Sequence, residues 1–348
     1  MTTTLQTLVA ASIFLVTGAM ARANPIAVAA PTSHPSGRLI IGGVPMHETP
    51  ANYHRYIKHL TVPVARHSAP AFHSSDLRAI RSLENPVRRQ IFDAMNQNRA
   101  ETFAFATLKQ AQENFKMRMT AIGFMFLVQK GRGNGVDFNY AGATVPQAAD
   151  GTHWWHNARF SHVSRPGVAP AEAIDGIVRH KFRGECLGAM QINVLHAARV
   201  ALGDARFNQL HSKGLDIGPK ATSCNIHTRQ GRSNRVADMV PGDWVYLKNK
   251  DDYGTDLRPG APMMYWQGEN ALYLGRFEIA TNGSPVYSSR AAQRFSGMGI
   301  YAKSDAEIRA AMKKAYLTDM RPPNTIHTHT ISDSDIRWIR VDRLVTGR

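Results

Sequence analysis

The chain is poor in cysteine and in acidic residues, and after its first 23 residues it has no apolar run long enough to cross a bilayer. Two cysteines in 348 residues do not make a disulfide scaffold. They leave Cys186 and Cys224 open to two readings, a structural or reversible bond between them or a pair of free thiols. Only 26 acidic residues stand against 42 Lys and Arg, for a net charge of +16. So basic a surface favours anionic partners such as a cell-surface polymer, and the excess is spread along the chain rather than gathered in a tail. Zinc-finger spacings and nucleic-acid-reading motifs are missing, so no specific nucleic acid is expected. The missing apolar run argues against an integral membrane protein. The glycine-rich tract Gly131-Arg132-Gly133-Asn134-Gly135 lacks the lysine and hydroxyl residue of a phosphate loop and reads as a flexible connector. The pairs His153/His156 and His327/His329 have no cysteine or acid at ligand spacing, so no metal site and no cofactor are expected.

What is present begins with an export signal. Leu8 to Met20 is an apolar core, and Ala21-Arg22-Ala23 is a small-x-small cleavage site, although Met1 to Thr7 carries no Lys or Arg. Residues 1–23 are therefore expected to be removed and the mature protein to work outside the cytoplasm. Residues 24–70 are rich in proline and small residues and read as a leader or pro-segment. The remaining 71–348 read as one catalytic domain.

Within it the pattern predicts helices first. Ser75 and Asp76 can cap a short helix to Leu83, and Pro86 suits the first turn of a second, to Asn96. Phe105, Leu108, Phe115, Met119 and Ile122 give one apolar face to a helix over 101–122. Trp154 and Trp155 open an ordered stretch, and 170–179 is a short helix. The polar, basic segment 218–240 reads as a surface loop. Strands follow. Pro241-Gly242-Asp243 is a turn, Trp244 to Lys248 alternates, and the Trp266 to Gly275 tract is a strand with a carboxylate at its mouth. Phe277–Ala280, Val286–Ser288 and Arg337–Val341 are further short strands. Ser304 and Glu307 form a capping box for a helix from Asp305 to Leu317. Helices before antiparallel strands make the class α+β.

The chemistry centres on Cys186. From Leu187 the apolar residues Met190, Val194, Leu195, Ala198, Ala201 and Leu202 recur at helical spacing until Gly203 stops them. Cys186 is thus expected in the first turn, where unpaired N–H groups and the helix dipole favour the nucleophilic thiolate. A small buried hydrophobe is the competing reading.

A cysteine at a helix start, then a strand opened by Pro-Gly-Asp, then a polar residue heading the next strand resembles the papain-like fold in its cell-wall-peptidase form. The Glu185-Cys186 pair, Gly242 to Asn249, Trp266-Gln267-Gly268-Glu269-Asn270-Ala271 and Gly297 to Ile308 together are more similar to the bacterial transglutaminases typified by the spore-coat enzymes of bacilli. That resemblance covers residues 100 to 320. It implies a cysteine transglutaminase joining protein glutamines to lysine or other primary amines, with Cys186 as nucleophile, Glu269 as its catalytic partner and Glu185 as an assisting acid. It makes Trp155, Trp266 and Asn270 candidates to line the substrate groove, with core packing the competing role for the tryptophans. The family's Gly-His-Gly reads Gly297-Met298-Gly299 here, and Met298 cannot shuttle a proton. Two other functions stay open: an amidase or peptidase on cell-wall peptides using the same acyl-enzyme, and a non-catalytic basic module binding a wall polymer.

Overall fold

A computed structural model describes residues 39–46, 74–129, 138–140, 147–148, 154–157, 161–179, 182–184, 186–258, 266–281, 285–297, 300–320 and 329–347. The expected signal sequence, most of the leader, the glycine-rich connector, His153 and His327 lie outside them. The helices are α1 (Ser74–Gln97), α2 (Leu108–Gln129), α3 (Pro170–Arg179), α4 (Cys186–Leu202), α5 (Asp204–Leu210) and α6 (Asp305–Asp319). The main sheet is built from β1 (Thr228–Gln230), β2 (Trp244–Lys248), β3 (Gly268–Ile279), β4 (Pro285–Tyr287), β5 (Gln293–Gly297), β6 (Ile300–Ser304) and β7 (Arg337–Leu344). Its seven strands run β1-β7-β2-β3-β5-β6, with β4 paired to the far end of β3, and every pairing is antiparallel. The fold is α+β, as the order of the elements implied.

Strand alternation sorts the sheet residues into two cores. Trp244, Leu272, Leu274 and Phe277 join the large cluster containing α1, α2, α3 and α4. Val245, Leu247, Ala271, Tyr273 and Phe295 join a second cluster under α6 with Ile308 and Met312. Helix α4 is buried almost all round, as its nearly continuous apolar sequence requires. Its two buried amides are bonded. Gln191 exchanges bonds of 3.0 and 2.7 Å with the backbone of Gly218, and Asn193 donates to the Ala121 carbonyl of α2 at 3.2 Å.

Four expectations change. Helix α1 is one helix running through Pro86, not two. Proline removes one donor and crowds the preceding turn, at a cost of about 3 kcal/mol; burial of Val87, Ile91, Phe92 and Met95 offsets it. The helix expected from Glu101 instead begins at Leu108. Phe103–Phe105 is extended and pairs in parallel with Leu39–Ile41. The start is fixed by Thr107, whose hydroxyl accepts from Gln110 N at 3.2 Å while the Gln110 side chain accepts from Ala106 N at 3.0 Å. Segment 218–240 is not simply a surface loop. Its Thr228–Gln230 pairs with β7 at the sheet edge, and Cys224, His227 and Asp238 are buried. Lastly, the two strands expected on either side of Gly275 are one strand, β3. A register shift and a φ of 103° at Gly275 absorb the irregularity.

One buried ionic network ties these parts together. Asp243 meets Arg118 of α2 at 2.8 Å and also meets Arg343 of β7. Arg343 continues to Glu101 at 2.6 Å, and Glu101 to Arg229 of β1 at 2.6 Å. The two arginines hold the Glu101 carboxyl below the usual carboxylate range against the opposing effect of burial. Gly242 is required here twice over. Its φ is 89°, and a Cβ would stand 2.8 Å from Cβ of Arg118.

Candidate active site

Cys186 opens α4 and is partly exposed, whereas Cys224 is buried. Both are free thiols, so the disulfide reading is not realised. The Cys224 thiol donates to the Gln191 carbonyl at 3.4 Å and burial raises its pKa well above the ordinary value, which makes it unreactive. Cys186 has the placement that chemistry needs: the positive end of a long, rigid helix at the edge of the helix-side core.

The sheet brings Asn270 to the sulfur. Its Nδ2 donates to Cys186 Sγ at 3.4 Å, and its Oδ1 accepts from the Trp244 indole N–H at 2.9 Å. Asn270 is buried, so its exact orientation is set by these partners and not by solvent. Antiparallel register places Trp244 opposite Leu272, two residues along β3 on the same face as Asn270. The alternation of β2 and β3, together with the Pro-Gly-Asp turn, therefore builds this contact.

Glu269 precedes Asn270 and pairs with Leu247. By the same alternation its side chain leaves β3 on the Ala271 side. It is 5 % exposed, and among the described residues Oε1 has no hydrogen-bond partner. Burial raises its pKa well above the usual carboxylate value, which favours the protonated acid. Space for it exists because residue 297 is glycine. A Cβ there would lie 2.5 Å from Glu269 Oε1 and 2.4 Å from the Asn270 carbonyl. A buried, incompletely bonded carboxyl is costly to stability and is a common mark of a working site.

The other sequence candidates fare unequally. Trp154 is buried, and its indole donates to the Ala173 carbonyl at 2.8 Å, so it is a core residue. Trp155 supplies backbone to the Trp154–Asn157 strand opposite Val163, and its side chain is outside the described residues. Trp266 is half-buried and packs on the α6 side against the cluster of Tyr253, Tyr316 and Met320. Glu185 and Met298 are outside the described residues. His329 lies 3.5 Å from Asp256. Among the described residues no group of three or more His, Cys, Asp or Glu side chains is placed to hold a metal ion, and no helix is long and apolar enough to cross a membrane. Trp244, flagged only as part of a strand, is the participant that sequence reasoning missed. Its proximity to Asn270 follows from the β2–β3 register, which no local pattern encodes.

Comparison with known proteins bears on this arrangement. Residues 69–329 match the family model for protein-glutamine gamma-glutamyltransferase. The chain belongs to that family. Relatives in it include the protein-glutamine gamma-glutamyltransferase of Bacillus mycoides, 28 % identical over 258 residues that cover 69 % of this chain and 83 % of the relative. That of Bacillus cereus is 27 % identical over 237 residues, covering 67 % and 76 %. A solved transglutaminase from Geobacillus stearothermophilus aligns with 68 % of this chain and 94 % of its own, at 19 % identity and a TM-score of 0.47. Cys186, Trp244, Glu269 and Asn270 all fall inside the part of this transglutaminase-family chain that the family model matches.

Proposed function

We propose that the protein is an exported cysteine transglutaminase that joins protein glutamine side chains to lysine or other primary amines. The observation that carries this is the Cys186–Asn270 contact at the start of α4, inside the family region. In the proposed reaction the Cys186 sulfur attacks the glutamine carboxamide carbon. The C–N bond breaks, ammonia leaves with the thiol's proton, and a thioester remains. A neutral amine then attacks the thioester. The C–S bond breaks, and one amine proton returns to sulfur. Backbone N–H groups at the start of α4 and the Asn270 amide are the donors available to the developing oxyanion. Glu269 is the proton carrier in both halves: it takes the thiol's proton and passes it to the departing ammonia, then takes one proton from the incoming amine and passes it to sulfur. Glu185 is the assisting acid. Trp155 and Trp266 border the glutamine groove.

Removal of residues 1–23 takes away Arg22 and leaves a charge of +15 (41 Lys and Arg against 26 acids), which suits residence on an anionic cell-surface polymer. The likeness to spore-coat enzymes supports the reaction rather than that location. The test is incorporation of a fluorescent primary amine into casein by the mature protein under reducing conditions. Cys186→Ala is expected to abolish it, and Glu269→Gln to lower it about a hundredfold or more. Cys186-dependent ammonia release without amine incorporation would replace transfer by hydrolysis. Full activity in Cys186→Ala would sink the reading altogether.

A further inference from the structure

On the helix-facing side of the sheet a row of side chains crosses three adjacent strands and ends at the cysteine. Asp342 of β7 holds the Arg340 guanidinium, Nε to Oδ2, at 2.8 Å. That guanidinium lies over the Trp244 ring of β2, 5.2 Å from its centroid. The Trp244 indole N–H donates to Asn270 Oδ1 on β3 at 2.9 Å, and Asn270 Nδ2 reaches Cys186 Sγ at 3.4 Å. Trp244 is buried at 4 % exposure, so water does not compete for its N–H.

An asparagine amide presents an oxygen on one side and an NH2 on the other, nearly the same in shape but opposite in charge. Only its partners decide which way it faces. The indole N–H has no alternative role, because it donates and never accepts. The amide oxygen must therefore face Trp244, and the NH2 is left facing sulfur. A cation over the ring face draws electron density from the indole and strengthens that N–H as a donor.

We propose that Trp244 is a positioning residue for the thiol chemistry: its indole N–H locks the Asn270 amide so that the NH2 group, and not the oxygen, meets Cys186 Sγ. The consequence is electrostatic. An NH2 donor stabilises the thiolate and any oxyanion formed beside it, whereas a flipped amide would turn its oxygen lone pairs on a negative sulfur. This goes beyond the proposed transfer reaction, and it rests on that reading only for its catalytic meaning.

The test reads the thiol directly. The rate of Cys186 alkylation by iodoacetamide is followed across pH in the full mature chain, with the Cys186 peptide quantified by mass spectrometry. Cys224, buried and unreactive while the protein is folded, serves as an internal folding control. Asn270→Ala and Trp244→Phe are each expected to slow alkylation at neutral pH about tenfold and raise the midpoint of the profile by about one unit. Since Trp244 acts through Asn270, adding Trp244→Phe to Asn270→Ala should produce no further change. Replacing Trp244 by benzothienylalanine keeps the fused ring and substitutes sulfur for the N–H. It should reproduce the tenfold loss even if the smaller phenylalanine disturbs packing. An unchanged midpoint in Asn270→Ala, wild-type reactivity with benzothienylalanine, or a further tenfold loss in the double variant would each overturn the proposal. Failure of amine transfer in the wild-type protein would remove the proposed reaction while leaving these alkylation profiles to decide the arrangement.

Discussion

Asp243, in the turn before β2, and Glu269, on the neighbouring β3, are both buried acids, yet the fold treats them in opposite ways. Asp243 is fully buried and fully engaged. Two arginines face it, and its Oδ2 also accepts from Val240 N at 2.6 Å. Glu269 is almost as deeply buried, but among the described residues it faces no arginine and one of its oxygens is unbonded. A buried charge that is paired and bonded holds segments in place, while a buried acid left neutral and partly unbonded destabilises the fold and keeps a proton available. The difference lies in the neighbours. Arg118 and Arg343 converge on the turn before β2, whereas Gly297 clears space around Glu269 without supplying a partner.

Breaking the paired side of this contrast should have the largest effect. Asp243→Ala leaves Arg118 without its only carboxylate partner among the described residues and takes one of two from Arg343, and it is expected to lower unfolding stability by about 3–5 kcal/mol, measured by urea denaturation. A loss below about 1 kcal/mol would mean that water already reaches the network.

The His211–His227 pair sharpens the contrast as an intermediate case, its Nε2···Nε2 hydrogen bond possible only while at least one ring is neutral. Their Nε2 atoms lie 2.8 Å apart beside the Phe207 ring. Burial pushes His211 down to about 4 and His227 down to about 3, the latter also through its neighbour's charge. An unfolded chain takes up these protons near pH 6.5 while the folded one does not. Stability should therefore be complete above about pH 6.5 and fall by a few kcal/mol as pH drops towards about 4. Urea midpoints in the His227→Gln variant should show a shallower fall; an equal slope in both proteins would rule the pair out as its source.

At Glu269 the sign of the pH effect is reversed. Above the unfolded pKa, near 4.5, the unfolded chain releases this proton and the folded one keeps it. The residue thus costs stability increasingly as pH rises from there towards its raised folded pKa. Glu269→Gln should gain stability over wild type as pH rises from about 4.5 to neutrality, with the gap closing as pH falls back to about 4.5. Paired thermal melts at the two pH values check this, and a destabilised variant at neutral pH would show that the carboxyl is held better than its geometry implies.

Local signals carried the elements that local physics controls. Helix α4 was readable because its apolar spacing runs unbroken from Leu187 to Leu202 and Gly203 ends it. The start of α6 was readable because the box at Ser304 and Glu307 forms as written. Strand β2 was readable from alternation. Glu101 was misread as helical because its real partners, Arg343 and Arg229, lie 242 and 128 residues away. The edge strand β1 has only three residues, too few to show a period, and is fixed by its register with β7. At the site, Cys186 announced itself by position. Glu269 and Asn270 were reached through family likeness, and Trp244 only through tertiary pairing.

Gly242, Asp243 and Trp244 follow one another, so the turn, the ionic anchor and the tryptophan beside Asn270 share a single count of residues. Adding or removing one residue in β2 would send Trp244 towards α6 and bring Val245 round to the amide. Chain length in this region is therefore free to vary across related sequences only outside that count, in the connection from Asn249 to Trp266 or in the one between β3 and β4. Insertions and deletions in a lineage of such proteins should collect there and stop short of Pro241.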